Sequence, residues 1–213
     1  MYKKILLLFV LFTIISCGEI QYDGEERLVF QTIVTNANGQ PIANSKVEIT
    51  VSTIYSSDLI SKGKTDQDGK ITLIFPSPKN DVDVNVKIYS DDTSYLEKNI
   101  LKIRKEDFIN YKLIFPNVNL LKTEETAPLQ LQYNQTNFNT VLKKISINGI
   151  YHIDEEYYNY SPENYYLPSQ ILIKKNQTFQ LKYTVLNLQT NSETNYVVDL
   201  QIGETPLTYT INY

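Results

Sequence analysis

Cysteine is the residue type in this chain with the most distinctive chemistry, and it occurs once, at position 17. Lys3 and Lys4 precede an uncharged run, residues 5–16, that ends directly on Cys17. A basic start followed by a short apolar stretch and a small residue at a cut site is typical of a secretory signal. The run is too short for a spanning helix, which needs about 20 apolar residues. A thiol in this place can act as a nucleophile near neutral pH and accept a covalent group.

The last four residues of this segment, Ile14-Ile15-Ser16-Cys17, resemble the lipobox of bacterial lipoproteins. The resemblance implies transfer of diacylglyceryl to the sulfur of Cys17, cleavage after Ser16, and acylation, as by palmitate, of the new amino terminus. It predicts a body held to the outer membrane through an N-terminal lipid. The acid-rich residues after Cys17 resemble the export signals of Bacteroidetes surface lipoproteins, but they form no continuous acidic run. The periplasmic and cell-surface faces therefore both stay open.

Tyrosine supplies the other candidate site. The segment from Tyr151 to Tyr166 contains six tyrosines interspersed with acidic and amide residues. This composition is too polar for a core strand. A tyrosine ring offers a flat apolar face with a hydroxyl at its rim, which suits contact with a sugar or a protein. We expect a long loop that binds a glycan or an envelope protein, or one that covers the open end of a sandwich. The candidate binding residues are Tyr157, Tyr158, Tyr160, Tyr165 and Tyr166.

Residues for catalysis or metal binding are sparse. His152 is the only histidine, and it lies beside Asp154, Glu155 and Glu156. A zinc site needs three or four ligands, and a nucleophilic triad needs a serine or cysteine at a sharp turn. The run Asp66-Gln67-Asp68-Gly69 opens like a calcium loop, but no glutamate closes it, which favours a turn. We predict no enzyme activity, cofactor or metal; a pair of carboxylates in a hydrolase stays the alternative.

The net charge of the chain limits the kinds of partner that it can bind. Cleavage before Cys17 would remove two lysines and leave 18 basic against 24 acidic side chains, a balance of −6. Affinity for nucleic acid depends on clustered Lys and Arg, so we predict no nucleic-acid partner. A single cysteine allows no intramolecular disulfide, so packed cores must stabilise the body.

Alternation with a period of two dominates the rest of the chain and indicates half-buried strands. Asn38-Gly39, Asp68-Gly69 and Asn148-Gly149 lie between such runs and favour tight turns with positive φ. We predict an all-β fold with two tandem antiparallel β-sandwich domains, immunoglobulin-like or transthyretin-like. The runs that carry the alternation are 47–51, 71–75, 82–88, 179–185, 196–202 and 207–213.

The first part of the body resembles the carboxypeptidase regulatory-like, transthyretin-type module. Its strand 29–34 is followed by Asn38-Gly39-Gln40-Pro41-Ile42-Ala43-Asn44-Ser45-Lys46-Val47 and by Lys64-Thr65-Asp66-Gln67-Asp68-Gly69-Lys70-Ile71-Thr72-Leu73. The sequence departs from the family pattern at Asn36, Ser45 and Ile71, where the family has Asp, Ala and an aromatic residue. The resemblance implies a β-sandwich that acts as a spacer or docking module without activity of its own.

Four segments follow from these patterns. They are a signal peptide over 1–16, a flexible acidic tether over 17–27, the regulatory-like sandwich over 28–122, and a second sandwich of unrecognised family over 128–213. We therefore expect a non-enzymatic lipoprotein of the cell envelope with a binding or scaffold role. The alternatives are an extracytoplasmic hydrolase and a structural subunit of an envelope or fimbrial assembly. In the last case the run 206–213, which is predicted to end inside a sheet, could add to a neighbour's sheet.

Overall fold

The computed structural model describes residues 20–53, 55–79, 82–153, 155–156 and 168–213. The described part of the chain is all-β, with short 3-10 helices at Lys105–Asp107 and Thr123–Glu125. It holds no helix that is long and apolar enough to cross a membrane. The strands are β1 (Tyr22–Thr35), β2 (Lys46–Ser52), β3 (Ser57–Lys64), β4 (Lys70–Pro78), β5 (Asp83–Tyr89), β6 (Lys98–Ile103), β7 (Lys112–Ile114), β8 (Val118–Asn119), β9 (Thr126–Asn134), β10 (Thr140–Asn148), β11 (Tyr151–His152), β12 (Glu155–Glu156), β13 (Gln170–Lys174), β14 (Gln177–Asn187), β15 (Ser192–Ile202) and β16 (Leu207–Asn212).

The first sandwich packs two sheets on one hydrophobic core. One sheet has the order β4-β1-β7, with β8 also paired to β1, and the other has the order β12-β6-β5-β2-β3. The alternating apolar residues of β2 and β5 are buried, as predicted, because every second side chain of a strand points to the same face. Phe30 and Phe75 lie in this core and contact the rings of Phe115 and Phe108.

The second sandwich has its own core between the sheets β10-β14-β15 and β11-β13-β9-β16. Phe179, Leu181, Tyr183 and Val185 of β14 point into it. The predicted terminal strand is present: β16 pairs in parallel with β9, and Ile211 is fully buried. Strand β16 forms one edge of the sheet β11-β13-β9-β16.

Strand β1 begins within the segment predicted as a flexible tether. Ile20 is buried against the first core, and Tyr22 already pairs with Pro78. The carboxylate of Asp23 accepts hydrogen bonds from the backbone N–H groups of Glu25 and Glu26, where the strand carries a bulge. The polar composition of this segment therefore does not keep it out of the sheet.

Two turns of the first sandwich are closed by the same side-chain device. Asn36 Oδ1 accepts from the backbone N–H groups of Asn38 and Gln40 at 2.9 and 3.0 Å. Asp66 Oδ1 accepts in the same way from Asp68 and Lys70 at 2.9 and 2.8 Å. An amide oxygen at Asn36 thus performs the role that a carboxylate has at Asp66. The calcium-like run 66–69 is accordingly a hairpin turn.

Glycine is required at two of the predicted turns for different reasons. Gly69 has φ +71°, and a Cβ there would lie 2.4 Å from the carbonyl oxygen of Val34. Gly149, by contrast, does not adopt positive φ, so the prediction of a positive-φ turn is wrong at this position. A Cβ at Gly149 would lie 2.7 Å from Phe179 Cβ, so glycine is needed there to let β14 approach.

The two sandwiches contact each other through backbone groups and lysines. Lys174 Nζ donates to the carbonyl oxygen of Ala37 at 2.7 Å, and Lys98 Nζ donates to that of Ile153 at 2.5 Å. Lys175 N donates to Glu125 O at 2.8 Å. Strand β12 lies in the range predicted for the second sandwich, yet it pairs in parallel with β6 of the first. We call this contact region the junction.

Candidate functional site

The residues that the sequence indicated for lipidation and binding lie outside the described residues. They are Cys17, Tyr157, Tyr158, Tyr160, Tyr165 and Tyr166. The described chain stops at Glu156, on the sheet edge beside β6, and resumes at Pro168. There the hydroxyl of Tyr133, near the end of β9, donates a hydrogen bond to Pro168 O at 2.7 Å.

His152 lies on β11, half-buried and opposite Leu172 of β13. Within the described ranges, no three His, Cys, Asp or Glu side chains come together in a way that could hold a metal ion. The backbone of His152 is thus held in the sheet β11-β13-β9-β16.

A concavity of 450 Å³ lies on the outer face of the first sandwich, between β2, β3 and β5. Glu48 is the acidic residue among the described residues that line it, and its carboxylate accepts a hydrogen bond from the Tyr89 hydroxyl at 2.8 Å. The same bond raises the pKa of Tyr89. A hydrolase that works with two carboxylates needs a second one opposite the first, and this concavity does not supply it.

The end of the second sandwich away from the junction is formed by three chain segments, and we call it the distal end. These are the loop 135–139 between β9 and β10, the turn 188–191 between β14 and β15, and Tyr213. Leu188 N donates to Asn139 O at 2.7 Å, and Tyr213 N donates to Asn134 O at 3.0 Å. Backbone hydrogen bonds therefore join the three segments into one surface.

Phe138 is the most exposed large apolar residue of this surface, with a relative exposure of 95%. Its loop is fixed on both sides: Asn139 N donates to Asn137 Oδ1 at 2.9 Å, and Thr140 Oγ1 donates to Asn137 O at 2.7 Å. Leu188, in the adjoining turn, is 57% exposed. An exposed aromatic residue on a fixed loop, next to a turn with an exposed leucine, can bury apolar surface against a partner at little cost in backbone entropy.

Tyrosines fill the space between the two sheets beside the edges of β15 and β16. The rings of Tyr183 and Tyr196 stack at 4.8 Å with an interplanar angle of 12°. Burial raises the pKa of Tyr183, with Tyr209 on the opposite sheet adding to the effect. Burial also raises the pKa of Tyr133 to about 12. The contact between Tyr183 of β14 and Tyr209 of β16 thus connects the two sheets.

Sequence reasoning missed Phe138. The available signal was a single aromatic residue in the polar run Gln135-Thr136-Asn137-Phe138-Asn139 between two alternating segments. The segment from Tyr151 to Tyr166, with its six tyrosines, is the stronger signal in the composition. The exposure of Phe138 depends on the loop hydrogen bonds, which sequence spacing does not display.

No protein-family model matches this chain, and no curated protein matches its sequence. Among solved structures, it is similar to the shaft pilin SpaA of Lactobacillus rhamnosus GG, at 8% identity and a TM-score of 0.35, with 88% of this chain and 97% of the pilin covered. It is also similar to the tip fimbrial protein Mfa3 of Porphyromonas gingivalis, at 9% identity and a TM-score of 0.30, with 81% and 82% covered.

A third similarity is to 3-chlorocatechol 1,2-dioxygenase of Rhodococcus opacus 1CP, at 14% identity and a TM-score of 0.35, with 48% of this chain covered. The chain spans 62% of that enzyme. TM-scores this low assign neither a family nor an activity. The class that the fold itself defines is an all-β protein of two sandwiches.

Proposed function

We propose that this protein is a non-enzymatic lipoprotein of the cell envelope, anchored through lipid on Cys17, that holds a partner at the distal end of its second sandwich. The observation that carries the proposal is the 95% exposure of Phe138 on a loop fixed by its own hydrogen bonds. A glycan or an envelope protein is the partner that suits an apolar, amide-rimmed surface of this kind.

The course of the strands supports this assignment. Strand β1 begins at Tyr22 and reaches the junction at Ala37, so its fourteen residues lead away from the anchor over roughly 40 Å. Strand β9 then leads from the junction to the distal end at Asn134. The anchor and Phe138 thus belong to opposite ends of the body. The first sandwich acts as the spacer that its resemblance to the regulatory-like module implies.

The tyrosine-rich segment joins the same proposal. Its chain re-enters the described body at Pro168, which accepts the hydrogen bond of Tyr133 next to the end of β9. Tyr157, Tyr158, Tyr160, Tyr165 and Tyr166 therefore precede a point close to the proposed surface, and we assign them to the same partner.

Site-specific photocrosslinking in intact cells tests the distal surface. A benzophenone amino acid replaces Phe138 in the full chain, and the matched control carries it at Ile74, which is 61% exposed on β4 of the first sandwich. We expect a discrete crosslinked species from position 138 and none of the same size from position 74. Equal products from both positions, or none from position 138, would reject the distal end as the binding surface.

A separate experiment tests the anchor. Cells fed an alkyne fatty acid should label the wild-type protein, and a Cys17→Ser variant should carry no label. Incorporation of the alkyne label into the variant at the wild-type level would contradict the proposed lipid anchor. The outcome is independent of the crosslinking, so the two halves of the proposal can fail separately.

The second candidate is a structural subunit of an envelope or fimbrial assembly, and the unpaired edge of β15 favours it. The carboxy-terminal strand does not suit exchange between subunits, since β16 is already paired with β9 and buries Ile211 in its own core. Assembly through a sheet edge would leave that strand in place.

A further inference from the structure

Strand β15 is a long sheet edge. It pairs with β14 over eleven consecutive residue pairs, from Gln177↔Ile202 to Asn187↔Ser192, without a shift in register. No other described strand pairs with it, so its second side presents backbone N–H and C=O groups in a straight row. Such a row is a template for another strand.

The other edge strands of at least eight residues in the described sheets, β3, β4 and β10, are protected, whereas β16 is a shorter edge strand of six residues without lysine or proline. Strand β3 carries Lys62, Lys64 and a bulge, and β4 carries Pro76 and Pro78. Strand β10 carries two adjacent lysines and a bulge. Lysine, proline and bulges are the usual means of keeping an edge from pairing with another chain. Strand β15 has no lysine, proline or bulge; its two charged residues, Glu193 and Asp199, lie near its ends, and its middle exposes Val197 by 59% and Tyr196 by 41%.

We propose that two copies of this chain pair through β15 in antiparallel fashion, which joins two three-stranded sheets into one of six strands. A closed pair of identical chains needs a two-fold axis, and along a sheet edge that axis places one residue opposite its own copy. The side chains of β15 select Val197 as that residue.

Strand length and charge together favour this register, because Val197 is the midpoint of β15 and an axis there pairs all eleven residues of the strand. An axis at Tyr196 would place Glu193 opposite Asp199 of the second copy, and like charges directly opposite destabilise a sheet. An axis at Val197 places Glu193 opposite Gln201 and Asn195 opposite Asp199. On the inner face it places Tyr196 opposite Val198, an aromatic and β-branched pair of the kind that stabilises sheets.

Existing hydrogen bonds fit this pairing. Asn195 Oδ1 accepts from Thr184 Oγ1 at 2.7 Å, so the amide Nδ2 group is the part of Asn195 that can donate to a carboxylate. Asp199 Oδ1 accepts from Gln180 Nε2 at 3.0 Å, and its second oxygen can accept from Asn195 of the other copy. Glu193 is already paired with Lys143 within the chain. The outer faces of β15 in two copies of the chain are therefore complementary to each other.

The geometry has a consequence for the membrane. Strand β15 runs from the distal end at Ser192 to the junction end at Ile202. Antiparallel pairing places the distal end of one copy beside the junction end of the other. With the Cys17 anchor proposed above, the two anchors would belong to opposite ends of the dimer.

Disulfide trapping tests the register on the purified full-length protein under mild oxidation. In a Val197→Cys variant the two thiols lie on directly opposite residues, with Cβ atoms about 4.5–5.5 Å apart, close to the separation that a disulfide needs. The matched control is Asn195→Cys, on the same face, whose copies would lie roughly 13 Å apart. Wild-type protein controls for Cys17. We expect a disulfide-linked dimer from Val197→Cys alone; equal yields from both variants, or none from Val197→Cys, would overturn the proposal.

A second variant tests the dimer without a cysteine, because a cysteine at position 197 could itself weaken pairing through β15. Val197→Lys places like charges opposite each other at the axis and should convert the dimer to monomer by light scattering, while Ile74→Lys should leave the mass unchanged. A monomeric wild-type protein would also overturn the pairing. A crosslinked species from position 138 that persists in the Val197→Lys variant cannot come from this pairing, so the proposed dimer and the distal binding surface can be judged separately.

Discussion

Lys174 Nζ lies 2.7 Å from the carbonyl oxygen of Ala37 and 3.2 Å from Asn38 Oδ1, so one lysine of the second sandwich closes the first turn of the first sandwich. Asn36 holds the same turn from inside through its own side chain. The turn that the sequence indicates as a local hairpin is thus also a contact between the two sandwiches.

The Lys174→Met variant should weaken the junction while both cores remain folded. It removes two charge-assisted hydrogen bonds at a half-buried site, which we expect to cost about 1 kcal/mol. Hydrogen exchange at residues 36–40 should accelerate. Lys182→Met, midway along β14, is the matched control and should leave that exchange unchanged. Equal acceleration in both variants would contradict a specific role for Lys174.

The Gly69→Ala variant should be strongly destabilised. Its φ of +71° disfavours a side chain, and the new Cβ would lie 2.4 Å from Val34 O. We expect a loss of about 2–4 kcal/mol in the free energy of unfolding, measured by urea denaturation. Gly24→Ala is the control, because its Cβ would have no neighbour within 4 Å. A Gly69→Ala variant as stable as Gly24→Ala would show that the turn can relax.

Alkaline pH should destabilise the second sandwich through Tyr133. Burial raises the pKa of this hydroxyl from 10 to about 12, so the folded state holds the proton more tightly than the unfolded chain does. The stability it contributes is present below pH 10 and is lost as the pH rises toward 12. Urea denaturation across this range should show a smaller decline for Tyr133→Phe than for the wild type. Parallel declines would remove Tyr133 as a cause.

Replacing Tyr157, Tyr158, Tyr160, Tyr165 and Tyr166 with serine should reduce crosslinking from position 138, because both groups are assigned to one partner. The yield of the crosslinked species in intact cells is the measurement. A control variant with Tyr55→Ser, a tyrosine that is 79% exposed on the first sandwich, should crosslink like the wild type. An unchanged yield in the fivefold variant would assign the loop a structural role only.

The sequence by itself determined the all-β class, because period-two alternation requires only that neighbouring side chains point to opposite faces. It also indicated the turns at Asn38-Gly39 and Asp68-Gly69, whose side-chain hydrogen bonds and positive φ are local properties. For the same reason the lipidation of Cys17 is a sequence-level prediction, since a modifying enzyme would read a short linear segment.

The tertiary structure decided what depends on neighbours distant in the chain. Gly149 resembles the other turn glycines in sequence, yet it is needed because Phe179 packs against it. Tyr196 and Val198 alternate like core residues, yet β15 lies at an edge, so Tyr196 stays 41% exposed. Alternation in the sequence indicates which side chains share a face of a strand. Whether another part of the protein covers that face depends on the order of the strands in the sheet and on the conformation of loops such as 135–139.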